Sequence, residues 1–248
     1  MVLSMKLNSK RLIVRDVFSY DIEACHYNLL KKFGYNMTDI PRDNKIERNI
    51  KIGKIMRDNE SIKSRLRETT ARIIDDYINF NELDEADILI RQYDGLITTK
   101  RLMETSKSVL PIEMQNRYDL VLISIERGKY IAFDSLRDKV KIKGVPNLYD
   151  GIKKYYKRLI KVVDIEKRSR VLSNLEVLKT SFEKEQDLNI FAIPANDKEV
   201  EIIFKSFGQI KVKRNTLYYM DDEEIDKDFY YDFYLHSFVQ SVVLEILS

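Results

Sequence analysis

"FSYDIEACHYNLLKKFGY", residues 18–35, is the stretch of the sequence that decides the fold. An apolar run, Leu12-Ile13-Val14 and Val17-Phe18, leads into it and predicts a strand over 11–20. Asp21 and Glu23 follow at the end of this strand, and the chain then turns helical over about 24–33. A strand that delivers two carboxylates at its end favours metal-dependent chemistry, because magnesium prefers hard oxygen ligands.

The segment after this helix is predicted to be mainly helical and basic. Apolar residues recur at three- and four-residue spacing over 45–80, with a candidate break between two helices at Asn59 and Ser61. Ile46 and Ile50 begin the predicted apolar face of the first of these helices. The basic residues of that helix are therefore expected to face away from the core.

Two β-hairpins follow in the sequence. "ADILIRQYDGLITTKRL" predicts apolar strands over 87–93 and 96–100, joined by the strong turn pair Asp94-Gly95. "YDLVLISIERGKYIAFDSL" predicts a second hairpin that turns at 127–128. The segment "KVKIKGVPN" comes directly after it.

The last part of the chain is predicted to mix helix and strand. A helical stretch covers about 148–186, strands lie near 189–193, 199–204 and 209–219, and a final helix begins near Asp226. Because strands and helices alternate without a regular βαβ order, the predicted fold class is α+β.

The composition bounds the function classes. Among 248 residues, 43 Lys and Arg nearly balance 40 Asp and Glu, so the net charge of +3 does not by itself indicate nucleic-acid binding. A single cysteine, Cys25, excludes a disulfide framework and a multi-cysteine zinc site. No apolar run approaches the roughly 18 residues of a membrane span, and "MVLSMKLNSKR" lacks the core of a signal peptide. We expect a cytoplasmic protein with no membrane partner.

One constellation of residues is suited to nucleotidyl transfer. Two aspartates on neighbouring strands, Asp21 and Asp94, would hold two divalent ions, which activate an attacking 3′-oxygen and neutralise leaving phosphates. Arg48, Lys51 and Lys54 recur every third residue, so they share one broad helical face that would meet an incoming triphosphate. This is the arrangement of a polymerase palm with helical fingers.

Four segments resemble motifs of template-dependent DNA polymerases, in particular the protein-primed and related family B group. "DIEACHYNLL" resembles the first catalytic motif, "RNIKIGKIM" the fingers-helix motif, "RQYDGLIT" the third motif, and "KVKIKGVPN" the Lys-x-Lys-Gly segment that contacts the primer-template duplex. The four matches lie in the family's order over residues 18–147.

The resemblance implies roles for individual residues. Asp21 and Asp94 would bind Mg²⁺ or Mn²⁺, Tyr27 would lie beneath the sugar of the nucleotide, and Arg48, Lys51 and Lys54 would contact the triphosphate. Lys143, with Lys141 beside it, would contact the primer backbone. The deoxynucleoside triphosphates and a DNA primer-template are the implied partners. The basic helix further along would grip phosphates through Lys153, Lys154, Lys157 and Arg158, although a plain solvated face is the alternative for these cations.

The resemblance also implies an organisation. Residues 1–147 would form a palm-like core, an antiparallel sheet with helices on one face and short helical fingers over about 44–80. Residues 148–248 would form a smaller, thumb-like or partner-binding α+β segment. No proofreading domain precedes the palm in this sequence, which predicts a split subunit or a reduced form of the kind that some phages encode, working inside the infected cell with another polymerase subunit.

The sequence departs from the family at two positions. The third motif usually has a second acidic residue beside its aspartate, whereas Tyr93 and Gly95 flank Asp94 here. The tyrosine of the first motif comes one residue late, at Tyr27. An inactive palm that binds nucleic acid or assembles a replisome therefore remains open.

Two further readings use the same residues. In a DEDD-type 3′–5′ exonuclease, Asp21, Glu23 and Asp94 would combine with the Tyr-x-x-x-Asp of Tyr218 and Asp222 to bind two metals. "YYMDD", residues 218–222, resembles the third motif of a reverse transcriptase, but the acidic run "EEIDKD" follows where an apolar return strand is needed. An Asp-Gly pair is also common in hairpins that bind no metal.

Overall fold

The computed structural model describes residues 6–7, 12–103, 110–126, 128–145, 150–165, 168–196, 198–206, 208–219 and 225–248. The chain divides into two compact units. The first comprises Met1–Ser9 and Asp16–Arg117, and the second comprises Lys10–Arg15 and Tyr118–Ser248. The sequence predicts a functional boundary after residue 147. This boundary concerns the roles of the two segments, which a division into compact units does not test, and it stays a prediction.

The first unit is built on short antiparallel strands. β1 (Lys6–Leu7), β2 (Ile13–Asp21, whose first residues belong to the second unit), β3 (Ile88–Arg91) and β4 (Gly95–Thr98) lie in the order β1-β3-β4-β2. β3 and β4 form the first predicted hairpin, and β2 lies beside β4. The strand that ends at Asp21 is therefore the direct neighbour of the strand that follows Asp94.

Among the described residues of this unit are three helices: α1 (Cys25–Lys32), α2 (Lys45–Asp58) and α3 (Glu60–Phe80). The Asn44 side chain caps α2 by accepting a hydrogen bond of 3.1 Å from the backbone N–H of Glu47. Asn59 ends α2 and also caps α3, because its side chain accepts a hydrogen bond of 3.1 Å from the backbone N–H of Ile62. The predicted break in the helical segment is confirmed at Asn59.

The predicted apolar face of α2 is wrong. Ile46 and Ile50 are 76% and 60% exposed, and Ile52 is the residue of α2 that is buried. Ile52 lies about 200° around the helix from Ile50, so the buried face is almost opposite the predicted one. α3 follows its prediction, because Leu66, Ile73 and Tyr77 are buried in the core of the first unit.

The second unit contains a three-stranded antiparallel ladder and a helical layer. β5 (Glu113–Ile123, which begins in the first unit), β6 (Tyr130–Asp134) and β7 (Lys139–Lys143) pair in this order. The second predicted hairpin is the β5–β6 pair, and residue 127 of its turn lies outside the described residues. The helical layer is α4 (Asp150–Ile165) and α5 (Arg168–Glu183), and both lie within the predicted helical stretch.

The end of the second unit differs in part from the prediction. A small sheet has the order β10-β9-β8, with β8 at Ile193–Pro194, β9 at Glu199–Phe204 and β10 at Gly208–Lys213. The predicted strand at 189–193 is mostly a 3₁₀ turn over Leu188–Ile190, and the strand predicted to reach 219 ends at Lys213. α6 (Lys227–Tyr231), a π-helical turn and α7 (Ser237–Leu247) form the predicted final helix.

The core of the second unit is rich in aromatic rings. Tyr155, Phe182, Phe191 and Tyr230 are fully buried and meet mainly edge to face, with Tyr155 and Phe182 at 4.8 Å between ring centroids. Aromatic side chains bury large apolar areas, so this cluster stabilises α4, α5 and α6 together. The α+β class with an antiparallel sheet is confirmed. Among the described helices, none is long and apolar enough to cross a membrane.

One ion pair of the second unit makes its stability depend on pH. Glu185 accepts hydrogen bonds from the Lys154 ammonium and, at 2.7 Å, from the Tyr155 hydroxyl. Burial alone would raise the pKa of Glu185, but these two bonds and a backbone bond from Asp187 outweigh it and lower the pKa to about 2.

We expect Glu185→Gln to lower the free energy of unfolding by about 3 kcal/mol at neutral pH. The folded pKa is depressed, so this stabilisation is present above the unfolded value near 4.5 and is lost as the pH falls towards 2. Urea unfolding of wild type and variant at pH 7 and below pH 4 measures the difference in their free energies of unfolding. This difference is expected to be smaller at the lower pH. Glu183→Gln is the control, because its pair with Lys179 is exposed and spans 3.7 Å. An equal loss in both variants would contradict the assignment.

Candidate active site

Asp21 and Asp94 are brought together by strand pairing. Asp21 is the register partner of Gly95 in the β2–β4 pair, and the backbone N–H of Ile22 donates to the Asp94 carbonyl oxygen at 2.9 Å. Both aspartates line one cavity of about 680 Å³. The described residues that line this cavity all belong to the first unit.

The close approach of these strands depends on Gly95. A Cβ atom at this position would lie 2.3 Å from the backbone oxygen of Tyr20. No side chain fits there unless β2 and β4 move apart. The glycine that follows Asp94 therefore belongs to strand β4, rather than serving only as a turn residue as the sequence predicted.

The segment after Asp21 turns sharply towards the cavity. Ala24 is in the left-handed region with φ 45°, and it stands at the N-cap of α1 without a side-chain cap. A non-glycine residue there is uncommon and costs conformational energy. The turn leads into the first turn of α1, where His26 and Tyr27 line the cavity. Glu23 lines it as well and pairs with Arg42 at 3.7 Å.

Cations of α2 and α3 form another wall of the cavity. Its face on α2 follows Lys45, Asn49 and Gly53, which recur every fourth residue and so lie on one side of the helix. The cations outnumber the three lining carboxylates, and they are Lys45, Arg48, Arg57, Lys63 and Arg67. The positive wall favours an anionic ligand beside the two aspartates.

These cations differ in their existing partners. Arg48 donates to the backbone oxygen of Arg42, Arg57 pairs with Asp58 at 3.4 Å, and Lys63 pairs with Glu60 at 2.7 Å. The ammonium of Lys45 makes no hydrogen bond or ion pair to any residue that the structure describes. Lys45 is thus the cation of this wall whose charge is most available to a ligand.

The structure places the predicted substrate-binding residues in two groups. Tyr27 and Arg48 line the cavity, whereas Lys51 and Lys54 do not. Lys51 pairs with Glu47 at 2.8 Å, and Lys54 is exposed about 180° around α2 from Lys45. The sequence reasoning missed Lys45 because it followed a three-residue spacing. The four-residue spacing of Lys45, Asn49 and Gly53 was the available signal.

A set of polar side chains lies next to the two aspartates. His26 Nε2 and the Tyr93 hydroxyl are 3.2 Å apart, and their rings meet edge to face at 5.4 Å between centroids. The Tyr93 hydroxyl also hydrogen-bonds to Thr70, and the Cys25 sulfur lies 3.3 Å from the Thr70 oxygen. These contacts join α1, α3 and the turn that carries Asp94.

The charges of the two aspartates reach this set. Burial raises the pKa of the Cys25 thiol to about 11, the Thr70 hydrogen bond opposes this, and the Asp94 and Asp21 carboxylates raise it further. Burial lowers the pKa of His26, Arg67 lowers it as well, and Asp94 opposes the change. A thiol with a raised pKa is a poor nucleophile at neutral pH, so we assign Cys25 no part in the chemistry.

The donor set suits magnesium. Among the described residues, no group of three or more His, Cys, Asp and Glu side chains is placed to hold a metal ion. Mg²⁺ typically takes one or two carboxylates from the protein and keeps several waters, and phosphate oxygens of a substrate supply further ligands. Asp21 and Asp94 beside a cation-lined cavity fit this pattern. Asp222, which the exonuclease reading needs, lies outside the described residues.

The predicted DNA-binding residues belong to the second unit. On β7, Lys139, Lys141 and Lys143 are exposed along one side of the strand, while Val140 and Ile142 are half-buried. Spacing of two residues places successive ammonium groups on one side of the strand, and this forms a short basic stripe.

The predicted cations of α4 mostly have partners within the second unit. Lys154 pairs with Glu185, Lys157 with Asp138 at 2.8 Å, and Arg158 donates to Ser181 at 2.8 Å. Lys153 is half-buried. These partners reduce the charge that α4 offers to a phosphate backbone.

Comparison with known proteins gives a distant likeness to a solved structure. No family model matches the chain, and no curated protein matches it. Among solved structures, the family B DNA polymerase from the hyperthermophilic archaeon Pyrobaculum calidifontis matches with a TM-score of 0.49 and 12% identity. The match covers 99% of this chain and 47% of that polymerase, so the chain spans about half of the polymerase's length. At this identity the likeness says nothing about individual residues.

Proposed function

We propose that this protein performs template-directed nucleotidyl transfer onto a DNA primer, with deoxynucleoside triphosphates as substrates. The observation that carries the proposal is that Asp21 ends β2 and Asp94 directly precedes its neighbour β4, so that both line one cavity with a wall of cations. Carboxylates and cations serve opposite needs in phosphoryl transfer, since one set binds divalent metal and the other binds the negative phosphates. A cavity that binds no metal and no phosphate needs neither the carboxylates nor the cations.

Asp21 and Asp94 are the residues that would hold Mg²⁺ or Mn²⁺. When bound, such ions activate the attacking 3′-oxygen and neutralise charge on the leaving phosphates. The protein's own contribution is largely positioning and electrostatic stabilisation. Pairing of β2 with β4 sets the spacing of the two aspartates, and Gly95 permits that pairing.

The cation wall would bind the triphosphate. Lys45 and Arg48 lie on the cavity face of α2, and Arg67 contributes from α3. Tyr27, on the first helix after Asp21, would contact the sugar. Charge-assisted hydrogen bonds to phosphate are stronger than neutral ones, so each engaged cation contributes to affinity for the nucleotide.

Lys45 and Lys54 form a matched pair for testing the wall. We expect Lys45→Met to raise the KM for the incoming nucleotide about tenfold, because a charge-assisted hydrogen bond contributes roughly 1.5–3 kcal/mol. Lys54→Met, on the opposite side of the same helix, is expected to change it less than about twofold. Single-nucleotide incorporation kinetics measure both values. If the two variants behave alike, the cavity face of α2 is not the triphosphate wall.

The β7 stripe would contact the phosphate backbone of the primer-template. Lys141 and Lys143 carry this role in the proposal together with Lys153, Lys154, Lys157 and Arg158 of α4, of which Lys154, Lys157 and Arg158 also have partners within the second unit. Such contacts are independent of sequence and weaken as salt rises. Participation of another polymerase subunit and expression in a phage-infected cell remain predictions.

Primer extension is the experiment that tests the proposal. A labelled primer-template is incubated with the protein, Mg²⁺ or Mn²⁺ and all four deoxynucleoside triphosphates, with a chelator and the Asp21→Asn/Asp94→Asn double variant as controls. Longer products that both controls abolish support polymerisation. A shortened primer supports the exonuclease instead. Salt-sensitive DNA binding without either product would leave a non-catalytic nucleic-acid-binding subunit and contradict the proposal.

A further inference from the structure

The turn that carries Asp94 is held from two sides. Its backbone is tied by the Gln92 N–H, which donates to the Gly95 carbonyl at 3.0 Å, and by the Asp94 carbonyl, which accepts from Ile22. These bonds fix the main chain of the turn to β2 and to itself. They do not link the turn to the helices that surround the cavity.

Tyr93 supplies that link from the residue directly before Asp94. Its hydroxyl lies 3.2 Å from Nε2 of His26, and the two rings pack edge to face at 5.4 Å. His26 follows Asp21 by five residues, on the first turn of α1. The pair therefore closes a ring of contacts in which one side passes through Asp21 and the other through Asp94.

We propose that the His26–Tyr93 pair is the positioning element that fixes Asp94 relative to Asp21, and so sets the affinity of the site for a divalent cation. This inference rests on the proposed function, in which both aspartates hold the metal. Contacts of this kind orient ligands that they do not replace, and their loss typically weakens metal binding about 10–100-fold.

A buried anchor makes the pair stiff. Tyr93 also bonds to Thr70, which is fully buried on α3, donates to the Leu66 carbonyl at 2.8 Å and contacts Cys25. Because buried polar networks with all partners satisfied resist rearrangement, the Tyr93 hydroxyl has a fixed place to bind.

The pair also gives a role to an unusual neighbour of Asp94. Where the resembled motif has a second acidic residue, this chain has Tyr93 before Asp94 and Gly95 after it. The space at Gly95 is closed by the Tyr20 backbone oxygen, so no acidic side chain fits there. With one carboxylate fewer than the resembled motif, metal binding depends more closely on the position of Asp94. Tyr93 restricts that position.

Tyr93→Phe and Tyr77→Phe form a matched test. Each variant loses one hydroxyl from the first unit. The Tyr77 hydroxyl accepts a hydrogen bond of 3.0 Å from the Ile112 N–H, and Tyr77 does not line the cavity. Electron paramagnetic resonance of free Mn²⁺ measures metal binding without nucleotide or DNA. We expect Tyr93→Phe to weaken Mn²⁺ binding about tenfold. Tyr77→Phe is expected to lower Tm and leave Mn²⁺ binding unchanged.

The contact between His26 and Tyr93 can also be removed by a substitution on α1. His26→Ala is expected to weaken Mn²⁺ binding as Tyr93→Phe does, and the double variant to be no weaker than either, because both break one contact. His26→Gln, whose amide reaches towards the hydroxyl, is expected to restore part of the affinity. If Tyr93→Phe does not fold, these two His26 variants test whether the pair sets the affinity for the divalent cation.

The outcomes separate this inference from the proposed function. Wild-type Mn²⁺ affinity in folded Tyr93→Phe and His26→Ala, with binding lost in Asp21→Asn and Asp94→Asn, would overturn the inference alone. A wild-type protein that binds no Mn²⁺ in the absence of nucleotide would overturn the inference, whereas the proposed function is overturned by a negative primer extension. Weaker binding in Tyr77→Phe equal to that in Tyr93→Phe would reduce the pair to a general stabilising contact.

Discussion

Asparagine in place of Asp21 or of Asp94 is expected to lower the rate of nucleotide incorporation more than about a hundredfold. Loss of a residue that merely supports a metal ligand typically costs 10–100-fold, so loss of one of two ligands costs more. Each substitution keeps the shape of the side chain and removes its charge. The β2–β4 backbone hydrogen bonds are unaffected, so the fold is expected to survive in both variants.

The decisive measurement is single-turnover incorporation over a series of Mg²⁺ concentrations. Asp76→Asn is the control, because Asp76 is an exposed carboxylate of α3 that does not line the cavity. It is expected to keep wild-type activity and Tm. If one aspartate variant retains most of the activity while the other loses it, the two residues do not form a shared metal site. If neither loses activity, the chemistry lies elsewhere in the chain.

Alanine at Gly95 is expected to destabilise the first unit by about 1–3 kcal/mol and to abolish incorporation. The added Cβ would meet the Tyr20 backbone oxygen at 2.3 Å, and overpacking of this kind typically costs that much because backbone must shift. Any shift that relieves the clash moves β4 away from β2. Since Asp94 and Asp21 lie at the ends of these strands, their separation changes with it.

Gly53→Ala supplies the comparison for stability. Nothing lies within 4 Å of a Cβ built at Gly53, which is an exposed residue inside α2. Alanine there is expected to stabilise the helix by up to about 1 kcal/mol, the opposite sign. Urea unfolding measures both effects. A Gly95→Ala protein with unchanged stability and full activity would show that the strands need not approach so closely.

The parts of the site that depend on local chemistry could be predicted from the sequence. Asp21 at a strand end and Asp94 at a hairpin tip follow from short-range patterns, and Asn59 marks a helix break through its capping side chain. Asp94 and Gly95 do not play the roles that an isolated turn would give them, however. The hydrogen bond closing the turn runs from Gln92 to Gly95, and Gly95 already belongs to β4.

The parts that depend on tertiary packing could not be predicted. Which face of α2 is buried is decided by what packs against it, and Ile46 and Ile50 are exposed although their spacing is that of a core face. The correct face determines that Lys45 rather than Lys54 reaches the cavity. The contact between His26 and Tyr93 joins residues far apart in the sequence, so no local pattern indicates it.

The placement of the cavity has a consequence for how such a chain can change over generations. Every described residue that lines it comes from the first unit. Substitutions over 118–248 therefore change none of the described residues that line it. A lineage could vary that later segment and keep the lining of the cavity, whereas a substitution at Gly95 would disturb the β2–β4 pair itself.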